Sequence, residues 1–348
     1  MKKLNDSYIF FGKGGDWVNA LFDDIDDEHF LMGKDPYCPC WQTKFSNLLC
    51  RFVWGSKFGK IDNTNLLSRH LINIMCKRIA KKYPNGAICI FHRSNPLSQN
   101  EYFLKRIRTT NPKCKLVYWF TDIVKMVELN IKNILSITKE YYDLVITYEK
   151  NDALTYGFYY VETPYSFLKH INNLSETKDI DLLYVGKSKI DVDPSRFDKI
   201  IKIYELAKAK GLKTYFAIAD VPEKNQKYKT EIIYNKIMDY NLLIETIKKA
   251  KCILEVSQLD EKGTTLRLFE SIAYDTHLVF TNDNLLNHPY FQSEYMHFVD
   301  CSDINNIFID FGFLKNSKIK YSNSLKEAIS PYSFLIKISK LVKEKENY

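Results

Sequence analysis

No apolar run in this sequence approaches the roughly 18 residues that a membrane-crossing helix requires. The opening residues, MKKLNDSYIFFGKGGDW, begin with the pair Lys2-Lys3 and carry an apolar run of only four residues, too short for the core of a secretory signal. The expectation is a cytoplasmic protein, soluble or at most peripheral to the inner face of a membrane. The eight Cys, at 38, 40, 50, 76, 89, 114, 252 and 301, contain no C-x-x-C spacing. That sets aside the common redox and zinc patterns, including at Cys38-Pro-Cys40, and predicts reduced, buried thiols. Gly12-Lys-Gly-Gly15 is no P-loop, because no Ser or Thr follows its Lys at the required spacing. No Asp-x-Asp pattern sits in a predicted strand-end loop. Asp191-Val-Asp193 lies beside a predicted helix start, where capping is its expected use. No metal and no cofactor are therefore expected. There is no internal repeat, and no biased tract beyond the charged end Lys343–Tyr348.

What is present fits a two-domain α/β protein. The chain has 348 residues, too many for one ordinary core. The net charge of +8 permits an anionic partner such as a nucleotide, a phospholipid surface or nucleic acid, without choosing among them. No recognised nucleic-acid motif appears, and Lys and Arg are spread along the chain, so no nucleic acid is expected. Short apolar runs alternate with helical stretches, the pattern of mainly parallel sheets. In the first half, Tyr8–Phe11, Ala87–Phe91, Lys115–Phe120 and Leu144–Tyr148 read as strands. Asn65–Lys82, Asn100–Thr109 and Asn130–Lys139 read as helices, the first with a basic face. The stretch Asp23–Trp54 is irregular. A polar segment, Leu168–Lys178, reads as a linker. The pattern then restarts with strands at Asp181–Val185, Thr214–Ala219, Cys252–Val256 and Leu278–Thr281. Helices are expected at Pro194–Lys210, Tyr240–Ala250 and Thr264–Ala273. Pro331–Lys343 has apolar residues at helical spacing. The domains read as 1–167, 179–330 and a final helix, 331–348. Two Rossmann-like halves imply a ligand cleft between them.

Several residues in these halves could carry chemistry, and each has a plainer use. Gly186 and Lys187 follow the first strand of the second half. They could admit and meet a phosphate, or form an ordinary turn. Gly263, Thr264 and Thr265 open a helix, where free amides attract anions but where Thr also simply caps. Arg267 and Glu270 are neighbours at i,i+3. They are a surface ion pair worth under about 1 kcal/mol, or a clamp in which Glu270 accepts from ribose hydroxyls and Arg267 meets phosphate. In the first half, Asp16, His92 and Asp122 lie at or just beyond predicted strand ends. Each could be the base that an inverting transferase needs. The alternatives are helix capping for Asp16 and Asp122 and a structural role for His92.

The run AKCILEVSQLDEKGTTLRLFESIAYDTHLVFTN resembles the donor-site segment of bacterial GT-B glycosyltransferases of capsule, exopolysaccharide and lipopolysaccharide synthesis. The matching positions are Gly263, Thr265, Arg267, Glu270 and Thr281-Asn282. DIDLLYVGKS and YNLLIETIKKAKCILEV are similar to the opening and later strands of that family's second domain. RTTNPKCKLVYWFTDIV and YYDLVITYEKNDALTYGFYYVETPYS are similar to runs of its first. The resemblance implies two Rossmann-like domains facing each other across a cleft, with the final helix crossing back to the first domain. It implies transfer of a sugar from a nucleotide-sugar, as co-substrate, to a glycan or lipid-linked acceptor, with possible peripheral membrane contact. The donor would be held by Gly186, Lys187, Gly263, Thr264, Thr265, Arg267 and Glu270, and the leaving diphosphate stabilised without a metal. One departure stands out. Many relatives in the wider fold carry a second Glu eight residues before the first; here that position is Lys262.

Overall fold

The computed structural model describes residues 3–12, 16–32, 66–93, 95–130, 133–168, 178–236, 238–258, 262–315 and 319–346. Most of the irregular stretch, the Cys38–Cys40 pair, Lys13–Gly15 and nearly all of the linker lie outside them. The chain divides into two compact units, Met1–Ser166 with Ser330–Tyr348, and Phe167–Ile329.

The first unit is a six-stranded, wholly parallel sheet. It contains β1 (Tyr8–Phe11), β2 (Phe30–Met32), β3 (Ile88–His92), β4 (Lys115–Phe120), β5 (Leu144–Thr147) and β6 (Tyr159–Tyr160), in the order β2-β1-β3-β4-β5-β6. Its central strands, YIFF, ICIFH and LVYWF, are continuously buried, as expected for a parallel sheet covered on both faces. The helices are α1 (Asp16–Ala20), α2 (Leu66–Lys82), α3 (Glu101–Thr110), α4 (Val124–Asn130), α5 (Ile134–Tyr141) and α6 (Lys150–Tyr156). The helix expected over Asn130–Lys139 starts only at Ile134, after a separate helix, α4, that ends at Asn130. Asn133, at φ 63°, is left-handed and starts α5 afresh.

The second unit repeats the plan with β7 (Ile180–Lys187), α7 (Pro194–Ala209), β8 (Thr214–Ala219), β9 (Ile233–Tyr234), α8 (Tyr240–Lys248) and β10 (Ala250–Glu255). It continues through α9 (Leu266–Ala273), β11 (His277–Phe280), β12 (Met296–Phe298) and α10 (Asn323–Ala328). The order is β12-β11-β10-β7-β8-β9, again all parallel. Asp193 caps α7 by accepting from the Arg196 amide at 3.2 Å, with Pro194 in the first turn. The Asp191–Asp193 motif is thus a cap.

The last helix, α11 (Pro331–Glu346), belongs to the first unit. Tyr8 Oη donates to the Leu335 carbonyl at 3.0 Å, and Phe334 packs on Trp119 with ring centroids 5.1 Å apart. Tyr332, Phe334, Leu335, Ile338 and Val342 are all buried, so the apolar stripe of this helix is occupied within the protein. Cys76, Cys89, Cys114, Cys252 and Cys301 are buried free thiols. Among the described residues no helix is long and apolar enough to cross a membrane.

Candidate functional site

In each sheet the strand order reverses beside its first strand, and the crevice at such a switch point, outside the carboxyl ends, is where open α/β sheets bind ligands. In the second unit the switch lies between β7 and β10. Lys187 and Gly186 are its floor, but they are not in a turn. The strand continues through both, in register with Ala219 and Ile218, and the chain leaves the sheet only at Ser188.

Gly186 has an internal reason. A Cβ there would meet the Tyr184 hydroxyl at 2.9 Å, because residues i and i+2 share one face of a strand. Gly12, just past β1 in the first unit, is the same device. Its Cβ would meet the Phe10 ring at 2.3 Å. Both glycines therefore make room for an aromatic two residues earlier.

Two arginines tie the carboxyl ends of β7 and β10 together. Arg267 Nη2 donates to the Val185 carbonyl at 2.8 Å, and Arg196 Nε donates to the Val256 carbonyl at 2.8 Å. Arg196 Nη1 also donates to the Lys187 carbonyl. Lys187 Nζ, more than half exposed, lies 3.0 Å from Asp220 Oδ2. Thr265 caps α9 by accepting from the Arg267 amide at 3.3 Å, so the helix starts at Leu266, and Thr264 is buried just before it. Asn282 Nδ2 donates to the Gly263 carbonyl at 3.2 Å and fixes that loop to the end of β11. Lys178 grips the far end of α9, donating to the Tyr274 carbonyl at 3.2 Å.

Glu270 faces this cluster from within. The residue is 0% exposed and its Oε2 pairs with Arg267 Nη1. Among the described residues its Oε1 has no hydrogen-bond partner. Burial pushes its pKa up, against the opposing charge and hydrogen bond of Arg267. A buried carboxylate oxygen without a donor is costly, and it is the kind of group a ligand hydroxyl satisfies. Lys262, at the position of the relatives' upstream Glu, is exposed; Glu261 lies outside the described residues. Sequence reasoning missed Arg196, whose only signal was its place one turn into a capped helix. It also passed over Glu255, a buried carboxylate ending the apolar run of β10.

In the first unit the switch lies between β1 and β3. Asp16 begins α1 beyond β1. His92 ends β3, buried, with Nε2 2.8 Å from Thr121 Oγ1 and its ring edge-on to Trp119. Burial first, and the Arg93 charge second, push its pKa down to about 3. The imidazole is therefore neutral at physiological pH. Asp122 is half-exposed and paired with Arg93. The Val124 amide at the start of α4 is taken by Asp152 Oδ2 at 2.8 Å.

The His92 environment carries a pH prediction. In the unfolded chain the imidazole takes a proton below about 6.5, whereas in the fold it resists one until about 3. Stability is fully present above pH 6.5 and is lost as pH falls. The His92→Phe variant, which keeps a ring against Trp119, is expected to lose about 2 kcal/mol less than wild type between pH 7 and 5. Urea midpoints at the two pH values measure this, and equal losses in both proteins would refute it.

No family model and no curated protein sequence matches the chain. Solved structures do. A UDP-forming α,α-trehalose-phosphate synthase from Burkholderia xenovorans superposes with a TM-score of 0.51 over 97% of this chain and 98% of its own, at 11% identity. Sucrose-phosphate synthase from Thermosynechococcus elongatus gives 0.51 over 98% and 99%, also at 11% identity. The Burkholderia xenovorans synthase in complex with glucose-6-phosphate gives 0.50 over 97% and 100%, at 11% identity. The chain has the two-sheet α/β fold of GT-B glycosyltransferases. At this identity the likeness concerns fold and not substrate.

Proposed function

We propose that this protein is a glycosyltransferase that takes a sugar from a nucleotide-sugar donor. The observation that carries the reading is Glu270: a buried carboxylate with one oxygen unsatisfied among the described residues, beside Arg267, at a switch-point crevice. In this reading Glu270 Oε1 accepts from the ribose hydroxyls of the donor. Arg267, Lys187 and the first amides of α9 face the leaving diphosphate and balance its growing charge. Those cations are the basis for expecting no bound metal. Arg196 keeps the ends of β7 and β10 at fixed spacing.

The acceptor and its setting rest on the sequence resemblance, which points to a glycan or lipid-linked acceptor in bacterial surface polysaccharide synthesis. The solved neighbours are named as sugar-phosphate synthases, and one is described in complex with glucose-6-phosphate. Sugar phosphates therefore belong in the acceptor screen. Of the candidate bases, His92 is held neutral with a pKa of about 3, and Asp122 is tied to Arg93. His92 is thus not poised near neutrality, as an efficient base should be, and the ion pair occupies the Asp122 carboxylate. An inverting reaction then falls to Asp16, whereas a retaining one needs no such base. The anomeric configuration of the product, read by NMR, separates the two.

The decisive experiment is calorimetric titration with UDP-, GDP- and CMP-sugars, followed by a nucleotide-release assay with and without EDTA. One donor is expected to bind, with affinity falling at least about tenfold in Glu270→Ala. A donor bound equally well by that variant would remove Glu270 from the site, and binding by none would end the reading. A second reading, a non-catalytic sugar-nucleotide binder, is favoured by Lys262 in place of an upstream Glu. Tight binding without nucleotide release or transfer would establish it.

A further inference from the structure

The candidate residues gather toward the carboxyl ends of the strands. The opposite, amino end of the first sheet holds a cavity of about 420 Å³. That volume falls within the range of small-molecule sites, about 300–1,000 Å³. The turn from α2 into β3, the turn from α3 into β4, the start of β1 and the last turns of α11 build its walls. Strand β4 separates its two ends by about 17 Å, so the cavity is distinct from the crevice beside His92.

Gly86 makes one wall possible. Its φ of 90° is left-handed, and a Cβ there would run into the Lys113 carbonyl, so the two turns touch only because the residue is glycine. Ile88 and Val342, both buried, form an apolar floor. Over it stand three ammonium groups and two carboxylates. Lys343 Nζ lies 2.7 Å from Asp6 Oδ2, and Lys115 pairs with Glu346. Lys113 is exposed, and among the described residues no hydrogen bond or ion pair involves its side chain. Of the five side-chain charges around the cavity, only that of Lys113 is unanswered.

These features narrow the ligand. Helices α2, α3 and α11 all end at this rim, and their partial negative charges make it a poor place for a bare inorganic anion. One anionic group, however, is answered by Lys113. The two ion pairs are partly exposed and individually weak, so they can open to a ligand. They set donors and acceptors side by side, as hydroxyls require, because each hydroxyl both donates and accepts. The floor suits the C–H face of a carbon skeleton. We propose that this cavity binds a small hydroxylated organic anion, a sugar phosphate or a sugar acid. Its anionic group meets Lys113, and its hydroxyls lie among Asp6, Lys343, Lys115 and Glu346. A ligand held there touches both the last turns of α11 and the starts of the strands, so it fastens the final helix to the sheet and stabilises the fold. The inference does not use the transferase reading.

Calorimetric titration of the full chain with glucose 6-phosphate, glucuronate, inorganic phosphate and glucose tests it. At least one of the two hydroxylated anions is expected to bind at least about tenfold more tightly than inorganic phosphate or glucose, and the tighter of the two identifies the source of the charge. Lys113→Glu is expected to weaken that binding at least about tenfold. It should leave the melting temperature of the ligand-free protein unchanged, because the side chain is exposed and without a partner. A sugar phosphate bound instead at the crevice beside His92 would be indifferent to Lys113→Glu, so binding that survives this change overturns the proposal. So does inorganic phosphate binding as tightly as the hydroxylated anions, and so does the absence of binding by both at millimolar concentration. Glu270→Ala should bind the anion as wild type does, and Lys113→Glu should bind nucleotide-sugars as wild type does. Failure here and failure of the transferase reading are therefore distinguishable.

Discussion

Replacing Arg267 by leucine is expected to cost about 3–5 kcal/mol of stability, whereas replacing its partner Glu270 by glutamine is expected to cost little or to raise the melting temperature. The asymmetry follows from burial. Glu270 is 0% exposed and Arg267 remains partly open to solvent. Burial pushes the Glu270 pKa above the ordinary carboxylate value, although Arg267 works in the other direction. A carboxylate whose folded pKa is raised weakens the fold as pH climbs past its unfolded value. At neutral pH the ionised group is thus a net burden, tolerable because Arg267 answers its charge. Leucine removes the answer and strands the carboxylate. Glutamine removes the charge and leaves Arg267 its bond to the Val185 carbonyl. Both variants are expected to lose donor binding, at least about tenfold, so in Glu270→Gln stability and affinity should part company. Arg267→Leu should recover part of its loss below the raised pKa of Glu270, where the carboxyl takes a proton instead. Denaturation midpoints at pH 7 and pH 5, beside calorimetric titration, measure all of this. If Glu270→Gln destabilised the fold as much as Arg267→Leu, the carboxylate would be a structural group and not one kept for a ligand.

The pair also shows how far one sequence can be read. That Arg267 and Glu270 meet follows from helix spacing. That Glu270 is wholly buried does not, because the elements covering it are distant in sequence; the contact of Arg267 with Val185 spans 82 positions. The α/β class was legible because each central strand is a continuous apolar run between helical stretches. The strands β2, β6, β9 and β12 escaped notice. They have two or three residues, many half-exposed, too few to show a period. Gly186, which could have admitted a phosphate, has a packing reason in Tyr184, as Gly12 has in Phe10, a same-face relation that is present in the sequence once the strand is known to continue. The first amide of α4, at Val124, is met by Asp152, which comes from another helix. Local chemistry is readable when both partners are local.

The largest effect is expected at the other end of the chain. Removing residues 331–348 should leave the protein unfolded or insoluble. Tyr332, Phe334, Leu335, Ile338 and Val342 are buried against the first unit, and at about 1.5–3 kcal/mol for each such side chain the loss is roughly 8–15 kcal/mol, as large as the stability of a whole domain. Phe334 alone contacts Trp119 and Phe22, with centroids 5.1 and 5.8 Å away, so Phe334→Ala should cost about 3–5 kcal/mol. The polar ties contribute less. Burial works to raise the pKa of Asp6, but bonds from Lys343 and Ser339 outweigh it and hold it below the usual value. The 2.7 Å pair of Asp6 with Lys343 is largely exposed, and Lys343→Ala should cost under about 1 kcal/mol. Soluble expression and thermal melting of the truncated chain decide the matter; a deletion that stayed folded with an unchanged melting temperature would show the helix to be an accessory. The consequence reaches into folding. The first unit takes its final helix from beyond the second, so its core cannot close until Pro331–Glu346 has been made. Until then Trp119 and Phe22 lack the side chain that covers them, and this unit has the longer exposure to aggregation during synthesis.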